Sequence, residues 1–368
     1  MAKTYRVAII GSTGRGNYGH GLDTVWHEIP EAEVVAVADD NEVGLAAAVK
    51  KTGAPKGYGE YSLMLKTEKP DIVAIGPRWI DRHHEMVLAC TDVGAHIYME
   101  KPFCRTMAEA DEMVKAVEAT HVKLVIAHQS RYSPVLTAIQ KMIAEDKLGK
   151  LLEIRARGKE DRRGGAEDLW VLGTHVLDLM RALAGDPRSC YARVTKEGRP
   201  VTKADVYPGN EGLGPLAGDG VSASYVFDND VNGYFASFKN QAGDPRRFGL
   251  QIFGSKGVAE LFTGYLVPGF YLAAAPWSPG RPNSDWVPIT SNGPGKPEIL
   301  KGSSLHAGNV AAVKDLIASI EEDREPLGNV YNAAGATEMI HAVFESHRQQ
   351  GPVEFPLKNR QHALTMLD

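Results

Sequence analysis

The chain has 368 residues, 43% of them hydrophobic and 24% charged, a globular composition too long for one ordinary core and more in keeping with two domains. A formal net charge of −5 offers no basic field to nucleic acid, and no apolar run reaches the ~18–20 residues of a membrane span. Cys90, Cys104 and Cys190 stand far apart without zinc-type spacing, and Leu88 sits where a second histidine would complete HExxH after His84-Glu85. These patterns predict reduced structural thiols, a cytoplasmic setting and no metal site.

In chain order, Tyr5–Ile10 reads as a buried strand, too short for the apolar core of a secretory leader. It runs into Gly11-Ser12-Thr13-Gly14-Arg15-Gly16 and then a stretch of helical character, Leu22–Ile29. Strand, glycine-rich turn and helix is the dinucleotide-binding order. Glycines let the backbone approach a pyrophosphate, and a helix N-terminus presents N–H groups to it. The fingerprint is imperfect. Gly11 and Gly16 fit G-x-G-x-x-G, Thr13 takes the middle glycine's place with Gly14 beside it, and a plain glycine turn stands as the alternative. Asn17 after Gly16 excludes a P-loop, which needs a lysine there.

The next strand, residues 33–39, ends in Asp39, 23 residues after Gly16, where a carboxylate can accept ribose hydroxyls. Asp40 adds a second negative charge, so NAD is expected over NADP. Helices over 42–51, 61–67, 82–93 and 106–119 then alternate with strands over 71–75, 95–99 and 123–127, which predicts a doubly wound parallel sheet in a domain of residues 1–127. Thr106 and Glu109 have the spacing of a capping box. Gly76-Pro77 and Glu100-Lys101-Pro102 fall at carboxyl ends of strands, where ligands of such sheets collect. Lys101 is thereby an active-site candidate, with a solvated surface pair as the alternative.

Beyond residue 127 the pattern changes. A helix to about Lys147 is followed by strand-like segments at 151–157, 191–195, 221–227, 231–239, 248–254 and 257–261, with turn signals such as Gly254-Ser255-Lys256-Gly257. This predicts an α+β domain over 128–368 with an antiparallel sheet. Residues 264–302, with Trp277 and Trp286, are expected to be a long loop, 308–322 and 332–348 helices, and 352–357 a last strand. Within the nearly all-apolar helix 169–180, His175 and Asp178 share a face at i, i+3. Either they form a proton-transfer pair or a core histidine is tied to a carboxylate. Lys159–Arg163 is either a solvated loop or a lid over a polar substrate.

Taken together, these pieces resemble the Gfo/Idh/MocA oxidoreductases. The match runs through the glycine loop 11–16, Asp39, Gly76-Pro77, His84 ten residues before Gly94, Glu100-Lys101-Pro102, Arg131-Tyr132-Ser133-Pro134, Leu148-Gly149-Lys150, Gly173-Thr174-His175-Val176-Leu177-Asp178 and the turn 254–257. The resemblance implies a Rossmann domain followed by a domain whose large, mainly antiparallel open sheet joins copies into homodimers or homotetramers. It implies hydride transfer between NAD(P) and a secondary alcohol of a sugar, cyclitol or glycoside. Lys101 is then the active-site lysine and His175 the family's histidine, with Asp178 in support. The cofactor residues are Gly11, Thr13, Gly14, Arg15, Gly16, Asp39, Pro77, His84 and Glu100. Arg131, Tyr132, Arg162, Arg163 and Trp170 are candidates for substrate hydroxyls and ring faces. Many members carry an aspartate four residues before the histidine, and here that residue is Val171. Two other readings stay open: net glycoside cleavage with tightly held NAD, and a non-catalytic NAD- or sugar-binding protein.

Overall fold

The computed structural model describes residues 3–274, 285–302 and 305–368. The chain divides into two compact units. The first holds the chain up to His128, Asn210–Gly214 and Leu305–Ala334; the second holds Gln129–Gly209, the described part of 215–302 and Gly335–Asp368.

In the first unit, six parallel strands stand in the order β3-β2-β1-β4-β5-β6: β1 Tyr5–Ile10, β2 Ala32–Ala38, β3 Gly57–Tyr58, β4 Ile72–Ile75, β5 His96–Met99 and β6 Leu124–Ile126. Val7, Ile9, Val37, Val73, Ile75, Ile97 and Val125 are all buried, the continuous apolar character of a sheet covered on both faces. Helices α1 Glu42–Thr52, α2 Tyr61–Glu68, α3 His83–Asp92 and α4 Met107–Thr120 form the crossovers. Their ends follow local chemistry. The Asn41 side chain accepts from the Gly44 amide at 2.8 Å, and Gly53 closes α1 in the left-handed region at φ 72°.

Three expectations change in this unit. The helix over Leu22–Ile29 is a short 3-10 turn, Val25–Glu28, preceded by a run of turns. The turns before it follow from backbone sign: Gly14, Gly16, Asn17, Gly19 and Gly21 all have positive φ, which keeps residues 14–21 out of a right-handed helix. The capping box is half made. Thr106 accepts from the Glu109 amide at 3.2 Å, but the Glu109 carboxylate takes the Arg105 amide at 2.8 Å and its guanidinium, not the Thr106 N–H. Finally, residues 305–334, placed by sequence in the second domain, group with the first unit. The Ile126 amide donates to the Gly328 carbonyl at 2.9 Å, Tyr98 Oη donates to Asn309 Oδ1 at 2.8 Å, and Val330 and Ala333 join the apolar core.

The second unit carries an eleven-stranded sheet among the described residues. Its longer strands are β7 Leu151–Arg157, β8 Pro187–Lys196, β9 Gly220–Phe227, β10 Asn232–Phe238, β11 Gly249–Gly254, β12 Val258–Phe262, β13 Gly269–Leu272 and β14 Val287–Thr290. The spatial order runs β14-β13-β12-β11-β7-β10-β9-β8, antiparallel throughout except for the β7–β10 pair. Residues 264–302 are therefore not simply a loop. Gly269–Leu272 pairs with β12 and Val287–Thr290 with β13, extending the sheet; Trp277 lies outside the described residues. The last strand shrinks to Val353–Glu354. The apolar helix at 169–180 is broken in type: Ala166–Asp168 is α-helical, Leu169–Gly173 is a π turn, and α-helix resumes over Thr174–Ala184. π turns of this kind often occur at functional sites.

Candidate functional site

The strand order of the first unit reverses between β1 and β4, so the crevice outside their carboxyl ends is the topological switch point where ligands of open α/β sheets bind. The glycine loop leaves β1 there and Gly76-Pro77-Arg78 leaves β4. Gly16 lets the two approach: at φ 90°, a Cβ on it would stand 2.3 Å from the Arg78 nitrogen. The loop closes on itself. The Ser12 and Asn17 amides each donate to the other's carbonyl at 3.1 and 3.0 Å, and the Gly14 amide donates to Asn17 Oδ1 at 3.0 Å. Its outer side is open, with nothing within 4 Å of where a Gly14 Cβ would stand. Glycine loop, switch point, open outer side and acids at the end of β2 together fit a dinucleotide.

Asp39 is buried and engaged within the protein. It accepts from the Thr13 amide at 3.1 Å, Thr13 Oγ1 at 2.7 Å, Tyr18 Oη at 2.7 Å and the Asn41 amide at 3.0 Å. Burial alone would push its carboxyl up, but these donors prevail and hold it below the usual range. Burial, with the Asp39 hydrogen bond, pushes the Tyr18 phenol up. Arg15 stacks over the Trp79 ring at 4.5 Å and pairs with Asp81.

At the end of β5, Glu100 is fully buried and Lys101 is 6% exposed. Glu100 Oε1 accepts from the His20 amide at 2.7 Å and lies 2.6 Å from His20 Nδ1, while Oε2 accepts from the Lys101 amide at 2.9 Å. Burial raises its pKa, but the hydrogen bond and charge of His20, then the charge of Lys101, bring it below the ordinary value. Glu100 thus fixes the backbone that carries Lys101.

His83 ties the two strand-end loops together. It is fully buried, with Nε2 2.7 Å from the Pro77 carbonyl and Nδ1 2.9 Å from the Pro102 carbonyl. His84, the histidine singled out by sequence, faces Glu112 of α4 at 2.8 Å near the surface. Sequence reasoning missed Tyr18, His20 and His83. The first two lie within and just beyond the glycine-rich run, and the third opens α3, so proximity to the strand ends was the available signal.

In the second unit, His175 is half-buried on the helix after the π turn. Asp178 does not stand open beside it for proton transfer. Both its oxygens bind Arg131, with Nε at 3.0 and 2.8 Å and Nη2 at 2.7 Å, and Nη2 also donates to the Asp178 carbonyl at 3.0 Å. Burial lowers the pKa of Arg131, but the Asp178 charge more than restores it. Two residues named for the substrate and for catalysis are thus one buried ion pair. Tyr132 is buried beside it in sequence.

Trp170 is also inside. It is fully buried, edge-on to His341 at 5.3 Å and stacked on His362 at 6.2 Å, so its face serves the core. Arg162 is exposed, and Arg163 is held by Asp161, with Nη2–Oδ2 at 2.7 Å. Asp168, before the π turn, is fully buried, accepts from Ser237 Oγ at 2.5 Å and from the Glu160 amide at 3.0 Å, and has its pKa raised by burial. Val171, in the position of the family aspartate, is buried.

Among the described residues, no group of three or more His, Cys, Asp or Glu side chains could hold a metal ion, and no helix is long and apolar enough to cross a membrane. The three cysteines are buried free thiols whose pKa values burial raises, which makes them poor nucleophiles.

Comparison with known proteins bears on the whole arrangement. The chain is 27% identical over 217 residues to a D-apiose dehydrogenase from Paraburkholderia graminis, covering 55% of this chain and 56% of that one. It is 25% identical over 256 residues to a levoglucosan dehydrogenase from Pseudarthrobacter phenanthrenivorans, covering 62% and 64%. The matches therefore span less than two thirds of these relatives. Among solved structures, levoglucosan dehydrogenase in complex with NADH and levoglucosan shares the fold at TM-score 0.78 and 20% identity, over 96% of this chain and 100% of that one. An oxidoreductase from Agrobacterium radiobacter in complex with NAD+, L-tartaric acid and magnesium does so at TM-score 0.74 and 16% identity, over 96% and 98%. The family model described as "Oxidoreductase family, NAD-binding Rossmann fold" matches residues 5–128, and the GFO/IDH/MocA C-terminal domain model matches residues 136–260. The chain belongs to the GFO/IDH/MocA oxidoreductase family.

Proposed function

We propose that the protein is an NAD-dependent dehydrogenase that moves a hydride between the nicotinamide and a carbon bearing a secondary hydroxyl on a sugar, cyclitol or glycoside. The observation that carries this is the end of β5. A nearly buried lysine, fixed by Glu100 through its own backbone amide, stands on the same sheet edge as a glycine loop open at Gly14. The curated relatives named for D-apiose, levoglucosan and scyllo-inositol support the substrate class. The last is linked to NADP+, so the acids at the end of β2 are what favour NAD here.

The bound nicotinamide supplies the hydride acceptor or donor. Gly11, Thr13, Gly14, Arg15 and Gly16 shape its phosphate cradle, and Pro77 and His83 set the β4 side of that crevice. Lys101 donates to the substrate oxygen and stabilises developing alkoxide charge. His175, in the second unit, is the residue that the family resemblance assigns as proton acceptor. Asp178 contributes by locking Arg131 under the helix that carries His175, so Arg131 acts through that helix. Of the remaining substrate candidates, Arg162 is the one whose side chain stands out to solvent.

A panel of aldoses, cyclitols and glycosides with NAD and with NADP, followed by absorbance of the reduced nicotinamide, tests the proposal. The expected result is NADH formation with at least one secondary alcohol. Binding of NAD without turnover of any panel member, in either direction, would contradict it.

A further inference from the structure

We propose that the adenosine ribose diol is accepted by Asp40 and not by Asp39. This rests on the dinucleotide reading of the first unit, and it changes which residue sets cofactor choice.

The argument starts from acceptor capacity. A carboxylate offers about four lone-pair sites. Those of Asp39 are taken by the Thr13 amide, the Thr13 hydroxyl, the Tyr18 hydroxyl and the Asn41 amide, and the residue is 2% exposed. The two side-chain donors are themselves wedged. A Cβ on Gly44 would lie 1.9 Å from Thr13 Oγ1, and one on Gly11 would lie 2.1 Å from the Tyr18 ring, so each rests directly against a bare glycine. A diol reaching Asp39 would have to break two hydrogen bonds to a buried charge and displace a packed side chain. Asp39 is better matched to another task. It staples the glycine loop, through Thr13 and Tyr18, to the end of β2.

Asp40 has what Asp39 lacks. Its side chain is 55% exposed, and its contacts are long: Ser12 Oγ at 3.5 Å and Arg82 Nη1 at 3.8 Å. These two neighbours belong to the glycine loop and to the segment after β4, so Asp40 stands at the mouth of the crevice with acceptor capacity to spare. The same placement gives a reason for discrimination. A 2′-phosphate would meet the Asp40 charge first. Arg82, otherwise paired with Glu85 and lying over the Tyr61 ring, is the cation that such a phosphate would find once that charge is gone.

Dissociation constants of NAD and NADP, measured by calorimetry on the parent, Asp40→Asn, Asp39→Asn and Tyr18→Phe with melting curves on each, test the assignment. The expected result for Asp40→Asn is NAD binding weakened by about tenfold or more, the NADP-to-NAD preference shifted toward NADP, and an unchanged melting temperature. Asp39→Asn lowers the melting temperature, and Tyr18→Phe does not tighten NAD. Parent-like NAD and NADP constants in Asp40→Asn would overturn the assignment. So would several-fold tighter NAD binding in Tyr18→Phe, because it would mean that the tyrosine competes with the ribose for Asp39. A parent that binds neither dinucleotide would instead overturn the cofactor reading itself.

Discussion

At the scale of single residues, the chemistry of this chain depends on which polar groups are already committed. Arg131 and Asp178 are the clearest case. Each was attractive as a site residue by type and position, yet their side chains are 11% and 1% exposed and bound to each other twice over. Asp178→Asn leaves a buried guanidinium without its counter-charge. It is expected to cost roughly 3–5 kcal/mol of stability, while replacing both partners with apolar residues of similar volume costs much less. Urea melts of the single and double variants check this; equal losses would contradict it. Sequence alone gave the residue types but not the pairing, because Arg131 and Asp178 lie 47 positions apart and meet only through the tertiary fold. Lys101 was legible for the opposite reason: a strand end and a proline fix its place locally.

At the scale of elements, helix ends and one buried aromatic cluster respond to simple changes. Thr106 caps α4 through the Glu109 amide, so Thr106→Ala is expected to destabilise the first unit by about 1 kcal/mol, read as a shift in its urea midpoint. The cluster of Trp170, His341, Phe344 and His362 carries a pH dependence. Burial lowers the pKa of His362 to about 4, and its Nδ1 accepts from the Leu364 amide at 3.3 Å. An unfolded chain would bind that proton near pH 6.5. The contribution of His362 is therefore full above about pH 6.5 and is lost as pH falls toward 4. His362→Phe should flatten this part of the stability profile between pH 7 and 5; a parent and variant with parallel profiles would contradict it. Periodicity made the crossover helices legible to within a few residues. It failed at 22–29, where the turns of the glycine-rich run continue through Thr24 and leave room only for the 3-10 turn Val25–Glu28, and at 169–173, where apolar spacing does not distinguish π from α turns.

At the scale of the whole molecule, alternation of strand and helix was enough to read a Rossmann unit, and the change of pattern after residue 127 was enough to read an α+β unit. What was not legible was the return of residues 305–334 to the first unit, since that depends on buried contacts such as Tyr98 with Asn309. The large sheet also presents an open face. Across register-matched positions it carries Tyr191, Ser224, Tyr234, Arg155, Gln251 and Glu260, with Tyr191 and Tyr234 49% and 42% exposed. This mixed apolar and charged row favours association of copies through the sheet. Light scattering is expected to give a dimer or tetramer that Tyr191→Glu with Tyr234→Glu dissociates; a monomeric parent would contradict this. The central claim concerns hydride transfer with Lys101 at the strand end, and the most direct test is the rate of NADH formation by the parent and by Lys101→Ala on the same alcohol. The expected result is turnover lowered by ~10²-fold or more with NAD affinity within about twofold of the parent; equal turnover in the two proteins would contradict the account.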